Sequence, residues 1–140
     1  MRLAVIGANK PSESFYKQAK RLGHYIIGIA WAEGAVCKKY CDKFYPISFA
    51  EKEEVLQVCR EEQIDGITSF SLESALPTVN YVAQNMGLVS NTVESLNYTK
   101  SKFAQREAFK KNGIPVPRYY KVYEASELNN LEMNQKFLFK

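Results

Sequence analysis

The strongest constraint on this chain is a rhythm. Short strand-like segments alternate with stretches whose apolar residues recur at helical spacing. Leu3 to Ile6 is a continuous apolar run, and Tyr25 to Ala30 is a second. Runs of that length without polar alternation mark strands buried on both faces. Between them, Gly7-Ala8-Asn9-Lys10-Pro11 breaks the first strand. Ser12 is placed to cap a helix carrying Phe15, Ala19 and Leu22, and Gly23 ends it. Ala35 to Cys41 reads as a short helix and Lys43 to Ile47 as a third strand. Ser48 can cap a helix over Glu51–Glu62, whose acidic first turn suits the positive end of the helix dipole. Gly66 to Phe70 is a fourth strand and Ala75 to Met86 a helix closed by Gly87. Leu88-Val89 reads as a very short fifth strand.

Strands separated by helices through short turns require parallel pairing. Residues 1–92 are therefore expected to form an α/β unit, a Rossmann-like open parallel sheet. From residue 93 the rhythm changes. Val93 to Tyr98 and Lys100 to Asn112 are helical in pattern with no strand between them. Gly113 closes the second helix, and Ile114-Pro115-Val116-Pro117 forces an extended segment. Arg118 to Tyr123 then reads as a strand, Ala125 to Leu131 as a helix and Gln135 to Lys140 as a strand. Residues 93–140 form a second structural unit. The run Phe137-Leu138-Phe139-Lys140 resembles a strand in mid-sheet, so a fragment of a longer domain is expected.

Hydrophobic residues are 46% of the 140 and charged residues 24%, a globular balance. No apolar run nears the roughly 18 residues that cross a bilayer, and the N-terminus lacks the pattern of a signal peptide. A cytoplasmic protein with no membrane partner is expected. Cys37, Cys41 and Cys59 are odd in number and outside CxxC spacing, so they read as buried small hydrophobes. The formal charge is +4, and basic residues are densest after residue 99. That density suits either a solvated helix face or a phosphate-rich partner.

In a parallel open sheet the natural ligand site lies at the carboxyl ends of the strands. Gly7 to Asn9, after the first strand, could offer backbone N–H groups to a carboxylate or phosphate, or could simply form a tight turn. The fourth strand ends in Ser69-Phe70-Ser71-Leu72-Glu73-Ser74. Ser71 is a substrate ligand or a helix cap. Glu73 is a binder of a cationic group or ribose hydroxyl, or a solvated carboxylate. A dinucleotide fingerprint has only its first glycine here, and no P-loop is present. His24, the one histidine, enters a strand away from any plausible nucleophile and reads as structural.

The segment Ser101-Lys102-Phe103-Ala104-Gln105-Arg106-Glu107-Ala108-Phe109-Lys110-Lys111-Asn112-Gly113-Ile114-Pro115-Val116-Pro117 resembles the entry to the ATP-binding domain of ATP-grasp enzymes. The likeness is to those similar to the carbamoyl-phosphate synthase large subunit. That family shows an Asn-Lys or Asp-Lys pair, a helix ending Lys-Lys-x-Gly, then Ile-Pro-x-Pro. An apolar strand later carries a second lysine, here Phe137-Leu138-Phe139-Lys140. Gly7-Ala8-Asn9 and the stretch Ala35 to Tyr45 resemble the Rossmann-like domain that precedes it. Two departures are Ser101, where the family has an acid or amide, and Ala30-Trp31-Ala32, which replaces an aspartate-containing turn.

The resemblance implies a pre-ATP-grasp domain over 1–92, followed by the start of an α+β ATP-grasp domain. It implies ATP contacts from Lys102 and Lys140, with Arg106 one helical turn beyond Lys102. Their place at the strand ends, independent of the resemblance, makes Gly7, Asn9, Ser71 and Glu73 the candidate substrate contacts. The resemblance also implies activation of a small carboxylate through an acyl phosphate, attack by an amine or other nucleophile, and Mg2+ held by residues outside this chain. A homodimer through the first domain is expected, and these 140 residues alone are expected to turn nothing over. The alternative is a stand-alone Rossmann-like binding or assembly subunit. A nucleic-acid protein is disfavoured, because Phe103, Phe109, Tyr119 and Tyr120 fit core faces.

Overall fold

The structure, a computed structural model, describes residues 1–130. The expectations for residues 131–140, the terminal strand and Lys140 among them, lie outside the described residues. The chain divides into a first compact unit, Met1–Leu96, and a second that begins at Asn97.

The first unit is a parallel sheet of four strands: β1 (Arg2–Ile6), β2 (Tyr25–Ile29), β3 (Lys43–Tyr45) and β4 (Gly66–Ser69). Their order is β3-β2-β1-β4, with every pair parallel. Val5 lies opposite Gly28 on one side and Thr68 on the other. Because side chains alternate along a strand, β1 serves two cores. Ala4 and Ile6 join Ile27 and Ile29 beneath α2 (Lys52–Glu61) and α3 (Leu76–Asn85). Val5 joins Ile26, Tyr16 and Cys37 on the opposite face, under α1 (Glu13–Arg21) and a 3-10 turn at Val36–Tyr40. Each fully buried Ile or Val removes enough apolar surface from water to contribute about 1.5–3 kcal/mol. This two-sided burial is why the strands read as apolar runs. At Gly28 a Cβ would lie 2.4 Å from Cys41 Sγ and 3.1 Å from Phe44, so only glycine lets β2 approach that layer.

Several expected elements differ. Leu88-Val89 is not a strand: the Leu88 N–H closes α3 on Ala83 O, and Val89 is fully exposed. Leu22 points outward at 61% exposure, because α1 turns its packed face through Tyr16 and Ala19. Ala35–Cys41 tightens into the 3-10 turn. Ser12 does not cap α1. It is fully buried and donates to Asn9 Oδ1 at 2.6 Å and Phe70 O at 3.0 Å. Ser48 Oγ accepts from Ala50 N in a local turn and does not cap α2.

At the amino end of the sheet a buried carboxylate gathers three partners. Glu62 accepts from Arg2 Nη2 at 2.5 Å, Lys43 Nζ at 2.6 Å and Tyr45 OH at 2.5 Å. These bonds, that from Lys43 foremost, hold its carboxyl below the usual carboxylate range.

The division between units falls inside α4 (Val93–Lys100). The second unit contains α5 (Lys102–Lys111). It starts where Ser101 takes an extended conformation and its Oγ accepts from Ala104 N at 3.2 Å. Gly113, at φ +70°, closes the helix, with Ile114 N returning to Phe109 O. Residues 118–123, expected as a strand, form none among the described residues. Tyr119 packs on α5: its ring meets Phe103 edge-on with centroids 5.6 Å apart, and its hydroxyl donates to Glu107. A 3-10 turn, Ala125–Asn130, stands where a helix was expected.

Candidate functional site

At the carboxyl ends of the strands the turns after β1, β2, β3 and β4 enclose a cleft of about 410 Å³. Gly7, Ala8 and Asn9 form one wall. Ala30, Trp31, Glu33, Gly34 and Ala35 come from the turn after β2. Ser48, Phe49 and Ala50 follow β3, and Leu72 follows β4. Since β2 and β4 leave β1 on opposite sides, the turn after β1 is where the winding reverses. Open α/β sheets bind ligands at that point.

The wall from β1 is held from behind. Gly7 adopts φ +91°, and a Cβ there would meet Leu72 Cδ2 at 3.1 Å. Its N–H donates to Ile29 O at 2.9 Å, and its carbonyl accepts from the buried Tyr16 hydroxyl at 2.8 Å. Burial pushes the Tyr16 phenol up, so it stays a neutral donor. Cys37 N donates to Ala8 O at 2.9 Å and Cys37 Sγ to Asn9 O at 3.1 Å, tying the turn after β2 to the turn after β1. The other two thiols are held in their protonated form. Burial lifts Cys59 to about 12 and Cys41 to about 11.

Of the four expected substrate contacts, the cleft brings Gly7 and Asn9 together. The Gly7 amide is engaged by β2, so a ligand at this turn would meet Ala8 and Asn9. Asn9 Oδ1 is occupied by Ser12. Ser71, exposed at φ +58°, and Glu73, exposed in the 3-10 turn Glu73–Ala75, flank Leu72, but only Leu72 lines the cleft. The sequence reading passed over Trp31 and Phe49 as wall residues.

In the second unit, Lys102 is the first residue of α5 and is exposed. Arg106, one turn on, lays its guanidinium over the Tyr119 ring at 5.6 Å. An open depression on α5 is lined by Tyr98, Ala104, Glu107 and Lys111 among others, and neither Lys102 nor Arg106 contributes to it. Among the described residues no three His, Cys, Asp or Glu side chains form a metal-binding group. No described helix is long and apolar enough to cross a membrane.

No protein-family model and no curated protein matches the chain. Solved structures do. Phosphoribosylglycinamide synthetase from Anaerococcus prevotii is 26% identical with a TM-score of 0.72, covering 97% of this chain and 35% of that one. N5-carboxyaminoimidazole synthetase from Staphylococcus aureus, complexed with ADP, is 13% identical with a TM-score of 0.77, covering 92% and 34%. L-amino acid ligase from Bacillus licheniformis is 21% identical with a TM-score of 0.71, covering 96% and 35%. The fold is that of the N-terminal domain of ATP-grasp proteins. These structural neighbours are ATP-grasp ligases, and the chain spans about a third of their length.

Proposed function

We propose that this chain is the N-terminal part of an ATP-dependent carboxylate–amine ligase, with the cleft of the first unit receiving substrate and the second unit opening the nucleotide site. The observation that carries this reading is the likeness to ATP-grasp ligases over nearly the whole chain. It is joined by a cleft at the winding reversal of the sheet. The resemblance of 101–117 to the carbamoyl-phosphate synthase large subunit supports the nucleotide half. The substrate could differ from that enzyme's, because the turn Ala30-Trp31-Ala32 departs from it.

In this reading Lys102 and Lys140 are point charges for the phosphates, and the in-plane N–H groups of Arg106 assist. ATP supplies the γ-phosphoryl that turns the carboxylate into an acyl phosphate, whose phosphate leaves when the amine attacks. Magnesium, which the resemblance implies, finds no ligand set among the described residues, and these residues carry no step through it. The cleft, wholly within the first unit, orients the substrate and shields it from water.

The test is phosphate release from ATP by the intact protein that contains these residues, across a panel of carboxylates with an amine present. At least one carboxylate should stimulate release. Lys102→Ala should raise the ATP requirement by about tenfold or more, the size of one charge-assisted bond. Release indifferent to every carboxylate would contradict the proposal.

A further inference from the structure

The walls of the cleft say more about its ligand than its position does. Trp31, Phe49 and Leu72 present the large apolar side chains, with Ala30 and Ala35 between them. Trp31 stands at the rim, 70% exposed, with its indole open to a ligand. Glu33 is the one ionisable residue in the wall. It forms no ion pair among the described residues. No lysine, arginine or histidine lines the cleft. Lys10, the nearest basic residue in sequence to the β1 turn, has its ammonium on Glu13.

This chemistry disfavours a phosphoester. A dianion placed here would lose water against apolar walls, gain no cation and face a carboxylate. An amine meets the reverse situation: a negative partner at the rim and apolar walls for its body. We infer that the cleft takes a small molecule with an aromatic or aliphatic body and a cationic amine, held between Trp31 and Phe49 with its ammonium on Glu33. This rests on the reading of the cleft as the substrate site. A volume of about 410 Å³ suits such a molecule, since it sits toward the small end of the roughly 300–1,000 Å³ spanned by ligand clefts.

Trp31 is the only tryptophan, so its fluorescence reports on the cleft without a label. The intact chain is titrated with 2-phenylethylamine, its uncharged analogue 2-phenylethanol, and ribose 5-phosphate. The amine should give a saturable blue shift as it desolvates the indole, binding about fivefold tighter than the alcohol. Glu33→Gln should remove that advantage while leaving alcohol binding unchanged. Ribose 5-phosphate should not shift the emission. If ribose 5-phosphate binds better than the amine, the ligand class is wrong while the substrate-site reading stands. An amine no better than the alcohol, or an advantage that survives Glu33→Gln, overturns the inference. If none of the three moves Trp31, the inference and the substrate-site reading fall together.

Discussion

Glu62 carries the clearest consequence for stability. Its carboxylate is 4% exposed, whereas its partners Arg2 and Lys43 are 37% and 50% exposed. The attraction is therefore partly screened by water, and the main cost of losing the carboxylate is the hydrogen bonds it accepts in the interior. Glu62→Gln should destabilise the chain by about 2 kcal/mol at neutral pH, read from denaturant unfolding. The acid dependence has a definite sign. The folded carboxyl is held below the ordinary glutamate value of 4.5, so its stabilisation is complete above about pH 4.5 and fades as pH falls through the lower folded value. Wild type should lose stability on acidification below pH 4.5 more steeply than the glutamine variant. Parallel curves would mean the cluster contributes nothing through charge. Nothing in the sequence announced this group: Glu61 and Glu62 are adjacent and alike, and only the end of α2 decides which is buried.

The elements were legible where one physical signal dominated. Apolar runs located β1 and β2, because burial on both faces leaves no room for polar alternation. Helical periodicity located α2 and α3. The errors fell on serines and short extended segments. Ser12 satisfies a capping pattern, yet its hydroxyl ties the β1 turn to the end of β4 through Phe70 O, a partner 58 residues away that local spacing cannot reveal. Leu88-Val89 has strand propensity, but the amide of Leu88 is used in closing α3. Residues 118–123 are rich in tyrosine, which favours strands, yet the Tyr119 and Lys121 side chains meet Phe103 and Arg106 of α5 and no strand forms there among the described residues. Ser101 is a case where a departure from a family pattern is physically neutral. Serine, aspartate and asparagine all accept a hydrogen bond at a helix start, and Ser101 does so from Ala104 N. Ser101→Ala should cost about 1 kcal/mol of helix stability, and Ser101→Asp almost nothing. Amide hydrogen exchange along α5 reads both, and equal protection in the two variants would show the cap is idle.

For the whole chain, the sequence pointed to the strand ends, where the cleft lies, and left most of its walls unnamed. Gly7 and Asn9 were found because a glycine after a buried strand marks a turn. Trp31 and Phe49 were not, because an aromatic in a loop is indistinguishable from a surface residue until the topology brings four turns together. The two units divide the proposed work, with substrate in the first and phosphates in the second. The shared chemistry makes one oxygen atom diagnostic. If the carboxylate attacks the γ-phosphorus and the amine then displaces phosphate from the acyl carbon, a carboxylate oxygen must leave with the phosphate. The intact protein should therefore be supplied with ATP, an amine and an 18O-labelled carboxylate that supports turnover, and the released phosphate weighed by mass spectrometry. Phosphate carrying one 18O is the predicted result. Unlabelled phosphate, or label appearing in AMP, would contradict the account.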